Sequence, residues 1–189
     1  MLVVMEYRRE RAVEYAERWA FSRNPLFENY TGIGGDCTNF VSQAIYAGSC
    51  VMNYTPTFGW YYVSPTNRAP AWTGVEYFYN FMTTNTGVGP FATETNVGGL
   101  LPGDVIQLAR TGTGDAGEEN CTFYHSLLVT GADESGYLVA AHSDDVLNRP
   151  LATYRYNSAR FLRIEGVRIE IPDRYEPACF RDFLEGKQI

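Results

Sequence analysis

Cys37 lies in the run Gly34-Gly35-Asp36-Cys37-Thr38-Asn39-Phe40-Val41, where a glycine turn leads into a helix start. The reactive form of cysteine is the thiolate, and a free thiol with a pKa of about 8.5 is mostly protonated at neutral pH. Unpaired amides and the macrodipole at a helix N-terminus favour negative charge, which lowers that value and supplies donors for an oxyanion. Gly34 and Gly35 let the backbone come close to a substrate. The chain has two histidines, His125 and His142, on segments that read as neighbouring strands. A cysteine nucleophile needs a base in reach and a third group to orient that base. One thiol and two imidazoles supply that set, and the chemistry it serves is attack on an amide carbonyl.

Strand register decides whether the imidazoles meet. Pairing Thr130 with Tyr137 across the turn at 131–136 sets His125 opposite His142. Directly opposed side chains share a face and stand about 4.5–5.5 Å apart at Cβ. His142 is then the expected orienter of His125, with Asp144, two residues further on the same face, as the alternative. A slip of one residue would separate the pair. Cys121-x-x-x-His125, joined by His142 and Cys37, could also serve as zinc ligands. A single pair of this kind, with no second C-x-x-C or H-x-x-x-H, lacks the spacing of a zinc site, so neither a metal nor a cofactor is expected. Cys50 and Cys179 have no base nearby in sequence and read as structural.

The elements that must position these residues follow from periodicity. Residues 6–23 read as an amphipathic helix with Ala12, Val13, Ala16, Trp19 and Ala20 on one face, stopped at Asn24-Pro25. A second helix is expected over 37–47, capped by Asp36 and ended by Gly48. Its Phe40, Val41, Ala44 and Ile45 form a buried stripe, and Cys37 lies one turn before Val41 on that side. Thr73 and Glu76 read as a capping box that opens a third helix through Met82. The aromatic stretch 54–72, with Trp60 and Trp72, fits either the core or the wall of a cleft. Residues 87–99 and 110–120 read as loops. Strands are expected at 105–108, 123–130, 137–142, 160–164 and 167–171, with a short helix near 177–184.

Helices first and antiparallel strands after make an α+β fold. The 189 residues suit one domain, with a core at about 7–165 and a C-terminal tail at 172–189. Composition is globular, with 45% hydrophobic and 20% charged residues, and the 15% aromatic content suits a cleft for peptide or sugar. A net charge of −7 with no basic cluster argues against nucleic acid. The four cysteines follow no disulfide framework, and no stretch is long enough for a membrane span. Met1–Met5 is too short for a signal-peptide apolar core, and the compartment is left open.

Several blocks resemble a known family. They are Tyr7-Arg8-Arg9-Glu10-Arg11-Ala12-Val13-Glu14-Tyr15-Ala16, the Cys37 block through Gln43, Gly59-Trp60-Tyr61-Tyr62 and Leu101-Pro102-Gly103-Asp104-Val105-Ile106. The His125 strand, Ala141-His142-Ser143-Asp144-Asp145 and Asn148-Arg149-Pro150-Leu151 continue the pattern. Together they resemble the bacterial "putative amidase domain", a branch of the papain-like superfamily related to NlpC-type and CHAP cell-wall hydrolases. The resemblance implies a nucleophile-bearing helix packed on an antiparallel sheet that carries the histidine and a third polar residue. NlpC-like relatives often place a histidine third, the position of His142; CHAP-type relatives place a carboxylate or amide there, which keeps Asp144 and Asp145 open.

The expected activity is cysteine-dependent hydrolysis of an amide through a thioester acyl-enzyme, with cell-wall stem peptides among the candidate substrates. Two alternatives stand beside it: a catalytically silent module that binds peptide or peptidoglycan, and acyl transfer of the transglutaminase type.

Overall fold

The computed structural model describes residues 1–113, 119–170 and 179–187. The first amphipathic stripe folds as α1 (Arg9–Trp19), which buries Ala12, Tyr15, Ala16 and Trp19. It packs beside α2 (Asp36–Ser49), in which every residue except Tyr46 is buried. A helix enclosed on all sides sits inside the fold rather than on it, so α2 is the central rod of the molecule.

Gly48 does not end this helix. The chain passes through it to Ser49 and turns at Cys50, whose φ is 53°. Gly48 is instead a contact point, because a Cβ there would lie 2.4 Å from the Tyr7 ring and 2.8 Å from the Arg8 carbonyl oxygen. In an open helix interior, Gly→Ala gains about 0.5–1 kcal/mol. Here overpacking against a backbone atom reverses the sign, and Gly48→Ala is expected to destabilise by about 1–3 kcal/mol. Urea unfolding checks this: a midpoint at or above wild type would contradict the close packing.

The aromatic stretch belongs to the core. Trp60 and Trp72 are fully buried with ring centroids 4.8 Å apart. A buried indole needs a partner for its N–H, and α2 supplies both. Trp60 Nε1 donates to Ser42 Oγ (3.0 Å), and Trp72 Nε1 donates to Asn39 Oδ1 (3.0 Å). Asn39 and Ser42 of α2 thus face the tryptophans.

Two short helices, α3 (Pro70–Thr73) and α4 (Val75–Thr84), replace the expected single one. The capping box does not form: Gly74 is the N-cap of α4, with no side-chain cap bond. Thr73 Oγ1 accepts from Arg68, and Glu76 pairs with Arg160 at 3.1 Å. Tertiary partners have claimed both side chains.

The sheet is antiparallel throughout. Its strands are β1 (Leu2–Met5), β4 (Gly89–Thr95), β5 (Val105–Thr113), β6 (Glu119–Asp133), β7 (Gly136–Ala141), β8 (Val146–Pro150) and β9 (Ser158–Glu170), while β2 (Tyr62–Ser64) and β3 (Asn67–Arg68) form a separate hairpin. Pairing runs β1-β9-β5-β6-β7-β8, and β4 lies along β9. Because β4 covers 161–168 of β9, β1 and β5 must share its other edge.

Several expectations change here. Residues 89–95 form a strand rather than a loop. The 110–120 loop is mostly ladder, although 114–118 lie outside the described residues. The two strands at 160–164 and 167–171 are one strand through Glu165-Gly166, described to Glu170. The short C-terminal helix is α5 (Cys179–Leu184), with Pro177 outside the described residues. Its Phe183 stacks on Tyr15 at 4.9 Å and is buried, so this part of the tail is core.

Both faces of the sheet are buried. Val105, Leu128, Ala140, Leu162 and Ile164 pack toward α2, while Ile106, Leu108, Leu127, Val129 and Val139 form a second cluster. The α+β class stands: among the described residues there are a large antiparallel sheet and five α-helices.

Candidate active site

Cys37 is the second residue of α2. Gly35 forms the N-cap in the left-handed region (φ 94°), with no side chain capping the first turn. A Cβ on Gly35 would also approach Thr73 O to 2.9 Å, so only glycine suits the position. The start of α2 is seated on β6: Thr38 Oγ1 shares a hydrogen bond with Ser126 Oγ (3.0 Å), which accepts from Gln107 Nε2 (3.0 Å). Gln107 Oε1 in turn accepts from Arg160 Nε (2.7 Å). Each of these groups is bonded to the next, and mutual satisfaction of this kind lets a polar chain sit inside the fold, although Arg160 Nη2 is buried without a partner.

The expected pairing of the two histidines does not occur. A tight turn joins Asp133 to Gly136, and Thr130 is an unpaired bulge between Val129 and Gly131. Leu128 therefore faces Ala140, and the ladder stops there. Continued in the same register, His142 would stand opposite Ser126 rather than His125. Since side chains alternate across a strand, this slip sends the two imidazoles to different faces.

His142 stacks on Phe40 of α2 with ring centroids 4.0 Å apart. Its Nε2 meets the Trp19 carbonyl oxygen at 2.9 Å, and its Nδ1 lies 3.1 Å from Asp36 Oδ2. The second contact is electrostatic rather than a well-aligned hydrogen bond, since Nδ1 has no partner of hydrogen-bond geometry. The groups that meet its two ring nitrogens are Trp19 and Asp36, not His125, so in this arrangement His142 is not placed as the orienter of the base.

What His142 does hold is Asp36. That residue does not cap the helix. Its fully buried carboxylate accepts from Tyr30 N, Asn39 Nδ2 and Thr31 Oγ1 (3.1 Å each) and pairs with Arg23 Nε at 3.0 Å. Burial alone would raise its pKa, but the His142, Asn39 and Tyr30 contacts outweigh this and hold the group well below the usual carboxylate range. Arg23 also binds Asp145 at 2.8 Å. Asp145 and Ser143 both have positive φ (46° and 84°), so the turn after His142 is tied to the residue preceding Cys37. Asp36 and Arg23 were not among the expected site residues; the Asp-Cys dipeptide was the available signal.

Cys37 and His125 do come together. They line one cavity of about 520 Å³ with Gly34, Gly35, Ser143 and Asp144 on one side. Asp144, the alternative orienter, lines the same cavity, and its charge opposes the lowering of the His125 pKa by burial, but among the described residues no hydrogen bond joins the two. It remains exposed and lies 3.8 Å from Arg149. No hydrogen bond joins the thiol to the imidazole among the described residues, and His125 Nε2 is buried without a partner.

Burial dominates both groups. It pushes the Cys37 thiol up, against the Ser126 and Thr38 amides and the Thr38 hydroxyl that favour the thiolate. It pushes His125 down, opposed by Asp144 and aided by Arg110 and Arg149. Burial thus favours neutral thiol and neutral imidazole over the ion pair that a helix N-terminus alone would suggest. Cys37 alkylation by iodoacetamide is expected to titrate above the ordinary free-thiol value of about 8.5, as peptide mapping across pH would show. A lower midpoint would mean that the helix start outweighs burial.

The zinc alternative does not assemble. Cys121 is exposed on the hairpin opposite Thr111, and His142 is taken up by Asp36 and Trp19. Among the described residues no three His, Cys, Asp or Glu side chains are placed to hold a metal, and no helix is long and apolar enough to cross a membrane.

Comparison with known proteins bears on this cavity. The chain is 31% identical over 144 residues to the uncharacterized protein YhbB of Bacillus subtilis (strain 168). That match takes in 74% of this chain and 42% of the relative, so the chain spans less than half its length. No solved structure matches the chain. Residues 6–164, which carry α1, the α2 thiol and the strands around His125, match the family described as "Putative amidase domain", and the chain belongs to that family.

Proposed function

We propose that this protein is a cysteine-dependent amide hydrolase of papain-like type, with Cys37 as nucleophile and His125 as its base. The single observation that carries the reading is the shared cavity: Cys37, on an uncapped helix start, and His125 line the same space. Membership of an amidase family supports the reaction class.

His125 takes the thiol proton as Sγ attacks the amide carbonyl carbon. The oxyanion is held by free amides at the head of α2. Collapse breaks the C–N bond, and His125 returns the proton to the leaving amine, leaving a thioester on Cys37. Water, deprotonated by His125, then releases the acid. A neutral resting pair suits this sequence, because the proton moves during attack. Asp144 is the group that favours the imidazolium formed on the way.

The resemblance to cell-wall hydrolases makes stem peptides the first substrates to try. The test is intact-mass detection of an adduct after treatment with a thiol-reactive amide mimic. The wild type is expected to carry one adduct on Cys37, and folded Cys37→Ala none at that position. A wild type that binds peptide but forms no acyl or probe adduct on Cys37 would favour the silent binding module. Amine-linked product in the presence of an added amine would mark acyl transfer.

A further inference from the structure

The chain carries a net charge of −7, yet the cavity that holds Cys37 and His125 is locally basic. Arg110, Arg149 and Arg155 line it, and among the described residues Asp144 is the one carboxylate in its lining. The arginines come from separate segments: Arg110 from β5, Arg149 from β8 and Arg155 from the stretch leading to β9.

Two of the three are held in place. The Arg110 guanidinium lies 4.4 Å from the centroid of the Tyr124 ring, and that of Arg149 lies 4.3 Å from the Tyr154 centroid. Both tyrosine rings neighbour the His125 imidazole with centroids 6.0 Å away. Arg149 Nε also donates to Thr153 Oγ1 at 2.8 Å. Each guanidinium is thus backed by an aromatic ring next to the base.

A guanidinium on an aromatic face keeps its edge free for hydrogen bonds and loses less freedom on binding than a loose side chain. Among the described residues, neither Arg110 nor Arg155 is in a salt bridge, and the one ion pair of Arg149 is the long contact to exposed Asp144. Planar forks of this kind match a carboxylate, which can accept two parallel N–H bonds.

We infer that the site takes an amide substrate bearing a free carboxylate close to the scissile bond, held by Arg110, Arg149 and Arg155. The inference rests on the reading of Cys37 as the reactive group in the cavity. It sets the substrate class: anionic amides, such as peptides with an acidic residue or a free C-terminus beside the cleaved bond, ahead of neutral ones.

The test compares iodoacetate with iodoacetamide, reagents that differ in carrying a carboxylate or a carboxamide. Second-order alkylation rates are measured by peptide mapping at Cys37 and, in the same sample, at exposed Cys121. The ratio of iodoacetate to iodoacetamide rates at Cys37 is expected to exceed that at Cys121 by about tenfold at low salt, as electrostatic focusing in a cleft allows. It should fall toward the Cys121 ratio as ionic strength rises, a measurement that needs no variant. Arg149→Gln and Arg110→Gln should each reduce the preference, and succinate should slow alkylation by iodoacetamide. Equal ratios at the two cysteines, unmoved by salt, would overturn the carboxylate subsite and leave Cys37 as nucleophile intact. No alkylation of Cys37 by either reagent would remove the nucleophile reading and the subsite with it.

Discussion

His125→Ala is expected to slow acylation of Cys37 by about 10²–10⁴-fold, the range for losing a positioned general base. The burst of nitrophenolate from an activated nitrophenyl ester reads this step without knowledge of the natural amide. The base matters this much because the thiol is buried and its pKa raised, so spontaneous thiolate at neutral pH is scarce. Cys37→Ala should abolish the burst, and the double variant should be no worse, since nucleophile and base act as one unit.

The wild-type burst rate should fall on the acid side as His125 gains a proton. Burial holds the folded pKa of this group below 6.5, so the acid limb is expected below that value. In His125→Ala the limb should vanish, and added imidazole should restore part of the rate. A His125→Ala burst as fast as wild type would remove the residue from the mechanism.

Asp36→Ala is expected to cost about 3–5 kcal/mol, the usual loss when one member of a buried ion pair is removed. The deletion leaves Arg23 and His142 facing an empty site and frees the Tyr30, Thr31 and Asn39 contacts. Asp36→Asn, which keeps the shape and one acceptor, should cost less. The pH dependence separates charge from packing. The folded pKa of Asp36 is depressed relative to its ordinary value of 3.8, so its contribution is complete above that value and is lost as pH falls through the folded pKa. Urea midpoints across acid pH should show this decline in wild type and a flatter profile in Asp36→Asn. Because the turn at 143–145 is tied to α2 through Arg23, both variants should also slow Cys37 acylation. Asp36→Ala with unchanged stability would mean that this carboxylate is not the anchor of the helix start.

Much of the local order was written in the chain. The 3.6-residue stripes at Ala12–Trp19 and Phe40–Ile45 specified α1 and α2, and the glycine turn before Cys37 placed a thiol at a helix head. Short apolar runs marked the strands around 105, 125, 139 and 162. Such signals are legible because one face of each segment must be apolar whatever it packs against. Gly89-Pro90 hid β4, since both residues read as turn formers, and β8 is short and mixed in character.

The amino-acid sequence by itself determined that a cysteine would stand at the start of a buried helix in an α+β domain, with His125 on the sheet beneath it. Only the tertiary structure decided which imidazole shares a cavity with the sulfur. A single bulge at Thr130 shifts the β6–β7 register by one residue, and on a pleated strand one residue is the difference between the two faces. That shift sends His142 to Asp36 and leaves His125 in the cavity beside Asp144 and three arginines. Only the folded chain gathers these residues, because they come from strands and turns far apart in sequence and no local pattern records which of them will share a cleft.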